Sequence, residues 1–153
     1  MKAKVLFLCT GNYYRSRFAE LLFNHWATAR NLPWVADSRA LALELGIYNV
    51  GPISSYTLDG LQQRAIPVDT ELRDPQPVTE SDWQEAQLVI ALDRQEHQRY
   101  VEERWPAWTD QVHYWEVADL HLLTATDALG RIEDQVLALL DILAAENVSG
   151  ATR

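Results

Sequence analysis

Residues 4–9 read KVLFLC, an apolar run broken at once by TGNYYRS, and no other feature limits the fold as tightly. The run is short for a helix, rich in β-formers and without polar alternation, so it reads as a strand covered on both faces. From Ser16 onward Phe18, Leu21, Leu22 and Trp26 recur at helical spacing, which predicts a helix to about Arg30, closed by NLP. The same alternation continues along the chain. WVADS (34–38) is a second, weaker strand, and Pro52 opens a helix through 53–65 that Ile66 and Pro67 close. Residues 78–87 form a short helix capped by Thr79 or Ser81. LVIAL (88–92) is the clearest buried strand. Asp93 with Glu96 then makes an Asp-x-x-Glu capping pattern for a helix to Trp105. VHYWEV (112–117) is the fourth strand, and a last helix over 131–145 begins after Gly130.

Strands alternating with helices imply an α/β fold, a four-stranded parallel sheet with helices on both faces. At 153 residues and 48% hydrophobic the chain suits a single domain spanning 1–153. The turn from Cys9 to Ser16 then lies at the carboxyl end of the first strand, where open α/β sheets place their ligands.

Charge and cysteine usage narrow the function. The net charge of −9 argues against a nucleic-acid partner. Residues 1–40 nevertheless hold Lys2, Lys4, Arg15, Arg17, Arg30 and Arg39 against Glu20 and Asp37, a local +4 that suits a small anion. A lone cysteine forms no internal disulfide, and the N-terminal apolar run is too short for a signal peptide or a membrane span. A cytoplasmic protein without a membrane partner is expected. Oligomeric state is not encoded in any of these features.

Cys9 to Arg15 is a Cys-x5-Arg unit followed by Ser16. Between a strand and a helix, the backbone N–H groups of Thr10, Gly11, Asn12, Tyr13, Tyr14, Arg15 and Ser16 can converge on an anion. Gly11 allows the turn, and Asn12 tolerates left-handed geometry. Arg15 offers a planar fork matched to two phosphate oxygens. These donors also stabilise a thiolate at Cys9, and Ser16 can donate to that sulfur. A free cysteine at a strand end can equally be a small buried hydrophobe. The Gly, Asn, Arg and Ser at these offsets favour the reactive reading. A nucleotide-binding P-loop does not fit, because no Gly-Lys-Ser/Thr follows.

On these residues the chain resembles the low-molecular-weight protein tyrosine phosphatases and their arsenate reductase relatives. Their signature, Cys-x-Gly-Asn-x-Cys-Arg-Ser, stands here as CTGNYYRS. The resemblance implies the family's four-stranded sheet, Cys9 as phosphoenzyme nucleophile and Arg15 as phosphate clamp. It also implies Ser38, in VADS, as a brace of the phosphate loop together with Asn12 and Ser16. The family's general acid is an Asp-Pro aspartate after the fourth strand. Asp119 takes that place here, with Leu120 where the proline would be. Asp110 and Asp127 are the fallback acids.

Three departures matter. Tyr14 replaces the second cysteine of the signature, so the nucleophile lacks an internal redox guard. Arg17 replaces a common proline and puts positive charge at a helix start, a cost that bound phosphate or an acidic substrate could offset. Tyr13 fills a position that shapes the pocket, where it could stack on a phenyl ring or narrow the entry. His25, His97, His113 and His121 show no metal-ligand spacing, so neither metal nor cofactor is expected. The implied activity is hydrolysis of phosphotyrosine-like aryl phosphates on a phosphorylated protein or a small substrate. A phosphoarginine phosphatase, a non-catalytic phosphate-binding or regulatory module, and an arsenate reductase using external thiols are the alternatives.

Overall fold

A computed structural model describes residues 2–151. Four strands, β1 (Ala3–Cys9), β2 (Trp34–Ala40), β3 (Leu88–Ala91) and β4 (Val112–Tyr114), form one parallel sheet in the order β2-β1-β3-β4. The helices are α1 (Arg15–Ala29), α2 (Ser55–Gln63), α3 (Glu80–Glu85), α4 (Arg94–Arg104) and α5 (Ala125–Ala151). Central β1 explains the unbroken apolar run that opens the chain. Val5, Phe7 and Cys9 face one core with Phe18, Leu22 and Phe23 of α1 and Ile132, Val136 and Leu140 of α5. Leu6 and Leu8 face the opposite core with Trp83 of α3 and Tyr100 and Val101 of α4. Both faces of the strand are dry, so period-2 alternation has no reason to appear.

The expected elements are present, with three revisions at their ends and one cap identified. α2 begins at Ser55 rather than Pro52, because the Ser54 hydroxyl caps it by accepting from Tyr56 N at 3.1 Å. Thr79, one of the two proposed caps, makes a full capping box with Asp82. α5 begins at Ala125, more than a turn before Gly130. The Thr124 hydroxyl accepts from Asp127 N at 3.2 Å, and Ala128 and Leu129 are buried against the core. That burial offsets the cost of an internal glycine, about 1 kcal/mol. Leu129 lies so near α2 that a Cβ at Gly60 would sit 2.5 Å from its Cδ1, so any larger residue there would force the Leu129 side chain to shift. Finally, β4 is regular only to Tyr114. Its register continues irregularly through Trp115 N and Val117 N, which donate to the carbonyls of Ala91 and Leu92. This bend aims the following loop at the end of β1.

The chain leaves β1 toward β2 on one side and later returns to β3 on the other. The crevice between β1 and β3 is therefore the switch point of the sheet, with Cys9 at its edge and the start of α4 opposite.

Candidate active site

The Cys9–Arg15 loop is held by its carbonyls. Leu41 N and Ala42 N donate to the carbonyls of Cys9 and Thr10, and Ser54 N donates to that of Tyr13. The Thr57 hydroxyl donates to the Tyr14 carbonyl at 2.9 Å. Among the described residues no backbone acceptor takes an N–H of Thr10 through Tyr14. The loop thus keeps its donors for a ligand, the condition for an anion cradle. Asn12 is the left-handed residue, at φ 53°. Gly11 is not, and a Cβ there would make only ordinary contact, 3.5 Å from Asn49 Nδ2.

Asn12 holds the shape from beneath. Its Nδ2 donates to Ser16 Oγ at 2.9 Å and Ser38 Oγ at 2.8 Å, and all three side chains are fully buried. Cys9 Sγ lies 3.0 Å from Ser16 Oγ. Because Ser16 Oγ accepts from Asn12, its own proton is free to point at the sulfur when that sulfur is ionised.

Ser38 extends the network. Its hydroxyl donates to Glu20 Oε1 at 2.5 Å, while Arg73 donates to Asn12 Oδ1 at 2.9 Å, Ser38 Oγ at 3.0 Å and Glu20 Oε1 at 3.1 Å. Burial pushes the Glu20 carboxyl up from its ordinary range, against the opposing pull of Ser38, Arg73 and Arg17. Arg17 is itself buried. It donates to the carbonyls of Pro52 and Arg73 and faces Glu20 at 3.8 Å, so its charge is answered inside the fold and not by a substrate.

The basic surplus of the first forty residues is neutralised in the same way. Arg39 pairs with Asp37 and Asp82, and Arg30 pairs with Asp141. Arg15 is the basic side chain among the lining residues of the cleft.

Arg15 is only 2% exposed, and its fork is already oriented. Nη1 donates to the Val117 carbonyl at 2.8 Å and Nη2 to Glu96 Oε2 at 2.7 Å, with Asp119 Oδ2 3.8 Å from Nη2. Burial alone would lower the Arg15 pKa, but the charges of Cys9, Glu96 and Asp119 outweigh it and raise the value. Glu96 is therefore not the capping partner of Asp93. Asp93 occupies the cap position without a side-chain capping bond, and its N–H donates to His97 Nδ1 at 3.0 Å. With Nδ1 accepting, the His97 proton sits on Nε2, which faces Glu96 Oε2 at 3.0 Å and Thr10 Oγ1 at 3.2 Å. The Thr10 hydroxyl also donates to Glu96 Oε2. Burial lowers the His97 pKa and keeps it neutral. For Glu96, burial acts upward, but the bonds from His97 and Arg15 hold the carboxyl far below the usual range.

Above this floor is a cleft of about 460 Å³ lined by Cys9, Tyr13, Arg15, Leu45, Tyr56 and Asp119, among others. Asp119 Oδ1 accepts from Leu120 N at 2.8 Å, a bond that a proline at 120 could not make. Neither fallback acid reaches the cleft. Asp110 precedes β4, at the opposite end of the sheet, and Asp127 lies in the first turn of α5. Tyr14 packs in the core with its hydroxyl unpartnered, and burial pushes its pKa up to about 12. Tyr13 neither blocks the cleft nor hangs free, since its hydroxyl donates to the Val50 carbonyl at 2.5 Å. His121 lines the cleft and His97 lies behind its floor, while His25 packs edge-on to Trp26 and His113 sits on β4. Among the described residues no group of three or more His, Cys, Asp or Glu is gathered as a metal site requires.

Sequence reasoning missed Glu96 as a partner of Arg15, missed Arg73 altogether, and weighed His97 only as a metal ligand. The available signal was weak. Arg73 stands between Leu72 and Asp74 in a stretch with no periodicity, and His97 beside Glu96 looks like ordinary helix surface.

Comparison with known structures agrees with this architecture. YfkJ from Bacillus subtilis superposes with a TM-score of 0.79 at 23% identity, covering 95% of this chain and 97% of its own. A low molecular weight protein tyrosine phosphatase from T. tengcongensis gives 0.76 at 22% identity, covering 92% and 99%. The YwlE arginine phosphatase from Geobacillus stearothermophilus gives 0.76 at 19%, covering 96% of each chain. No curated protein sequence matches. The model of the low molecular weight phosphotyrosine protein phosphatases, however, matches residues 4–146, nearly the whole chain and every element that frames the cleft. By that match this chain belongs to the low molecular weight phosphotyrosine protein phosphatase family.

Proposed function

We propose that the chain is a metal-independent phosphatase that hydrolyses phosphotyrosine-like aryl phosphate monoesters through a phosphocysteine intermediate. The observation that carries this reading is the convergence of Cys9, Arg15 and Asp119 on one cleft, above a loop whose N–H groups are unspent. In the first step the Cys9 thiolate attacks phosphorus in line, the S–P bond forms and the P–O bond to the phenol breaks. Arg15 and the loop amides hold the three equatorial oxygens as their charge redistributes. The Asp119 carboxylic acid gives its proton to the departing phenolate. As carboxylate it then takes a proton from water, which attacks phosphocysteine and releases inorganic phosphate and the Cys9 thiolate. Ser16, 3.0 Å from the sulfur, stabilises the thiolate as leaving group.

The cleft walls support an aryl substrate. Tyr13, Leu45, Tyr56 and Leu120 offer flat or apolar surface for a ring, and Asp119 is the one acidic side chain among the lining residues. The likeness to an arginine phosphatase supports a second reading, in which a P–N bond is cleaved by the same groups. Steady-state turnover of phosphotyrosine, phosphoserine and phosphoarginine peptides, with and without a chelator, separates these readings. The phosphotyrosine peptide is expected to be preferred and the chelator to have no effect. Cys9→Ser is expected to abolish turnover of p-nitrophenyl phosphate; retained activity refutes the mechanism. Vanadate uptake with no hydrolysis by the unmodified protein would mark a binding module instead.

A further inference from the structure

We propose that the mouth of the cleft is an apolar collar that selects phosphorylated protein segments with uncharged, apolar residues beside the phosphorylated side chain. The inference rests on the phosphatase reading and adds a substrate class to it. Eight large hydrophobic side chains are exposed among the described residues, and seven of them belong to the two segments that frame the cleft. Leu45, Tyr56 and Leu120 line the cleft itself. Just outside, Ile47, Tyr48 and Val50 are 69%, 90% and 85% exposed on one side, and Leu122 is 70% exposed on the other. Scattered exposed hydrophobics are ordinary, but their concentration at one opening is not.

Charge reinforces the pattern. Residues 45–56, LGIYNVGPISSY, contain no ionisable acid or base except two tyrosines, in a chain of net charge −9. An acidic body with an uncharged apolar segment on one side of the mouth, and Asp119 on the other, offers nothing to an acidic substrate and a favourable surface to an apolar one. The rim is also preformed. Ser54 N donates to the Tyr13 carbonyl at 2.9 Å, Asn49 N to the Gly46 carbonyl at 3.0 Å, and Tyr13 Oη to the Val50 carbonyl at 2.5 Å. Little ordering entropy remains to be lost when a partner docks.

The occupant follows from continuity with the cleft. Cys9 is 3% exposed at its floor, so a phosphorylated side chain must enter past the collar. The residues on either side of it in the substrate chain then rest on Ile47, Tyr48, Val50 and Leu122. A small aryl phosphate enters without touching them.

The test uses two phosphotyrosine peptides that differ only in flanking residues, Leu and Val in one and Asp and Glu in the other. The unmodified protein is expected to favour the apolar peptide by about tenfold in kcat/KM, the scale set by partial burial of one or two apolar side chains. In the I47S/Y48S/V50S variant the preference is expected to fall to about twofold or less, with kcat/KM for p-nitrophenyl phosphate unchanged. Equal turnover of the two peptides overturns the proposal, as does a preference that survives the triple substitution. Sedimentation supplies another refutation: a dimer that the same substitutions dissociate would mean that a second copy covers the collar. Should the unmodified protein fail to hydrolyse p-nitrophenyl phosphate, the phosphatase reading fails by itself. Calorimetric binding of the two peptides to Cys9→Ser protein then decides the collar, with tighter apolar binding expected and equal affinity overturning it.

Discussion

The floor and the rim of the cleft follow opposite rules. On the floor, Asn12, Ser16 and Ser38 are fully buried and joined by side-chain hydrogen bonds, and Arg15, 2% exposed, is held by Glu96, with Glu20, Arg73 and His97 as a surrounding layer. The rim, by contrast, presents apolar side chains to solvent and is tied down mainly through its backbone. A buried polar network loses heavily when one member is removed, because the partners left behind keep their desolvation cost. Exposed apolar side chains can be changed with little effect on the fold. The floor is therefore fitted to hold one chemical group rigidly, and the rim is free to define what arrives.

Asp119 is the exception that tests this division, a reactive group on the rim side. Asp119→Ala is expected to slow phenyl phosphate hydrolysis by roughly 10² to 10⁴-fold, the usual scale of a general acid, and to spare substrates with good leaving groups. Equal losses on both substrates would return Asp119 to the rim and require another acid.

The next effect is on stability. Arg73→Ala leaves Glu20 buried without its main cation, and about 3 kcal/mol should be lost. The Glu20 carboxyl is already raised in the folded state by burial, so it takes up a proton more readily there than in the unfolded chain. Its contribution is present at low pH and lost as pH rises through the folded pKa, so the variant should melt further below the parent at pH 8 than at pH 5. Melting curves at the two values check this, and a pH-independent deficit would count against the network.

Glu96→Ala should weaken phosphate inhibition and lower kcat/KM by roughly tenfold or more, the equivalent of one charge-assisted hydrogen bond, through disorder of the Arg15 fork. Glu96→Gln, which keeps an acceptor, should recover part of that loss. If Gln and Ala behave alike, Glu96 serves only the fold.

The smallest effect concerns His97, which faces Glu96, Thr10 and the Asp93 N–H. Burial lowers its pKa in the folded state, so the unfolded chain takes up a proton that the folded chain resists. Stability is then complete above the unfolded value of about 6.5 and falls as pH drops below it, by about 1.4 kcal/mol per pH unit at most. His97→Asn should flatten the melting temperature between pH 7 and 5. An unchanged slope would assign the acid sensitivity to another group.

Local chemistry by itself determined much of this protein. The dry run KVLFLC, the helical spacing of Phe18, Leu22 and Trp26, and the Cys9-x5-Arg15 loop between them are short-range patterns, and they locate a donor-rich turn at the end of a central strand. Caps such as Thr79 are equally local. Only the tertiary structure decided who partners whom. Arg15 meets Glu96 across 81 residues because β1 and β3 lie side by side at the switch point of the sheet, and Arg73 meets Asn12 across 61 because the segment before α3 returns along β2, where Ala40 bridges Pro77. Before folding, Glu96 is an acid three residues past Asp93 and reads as a cap, and Arg17 is a basic residue at a helix start and reads as exposed. Burial changes both meanings, since a charge removed from water must find a partner wherever the packing brings one.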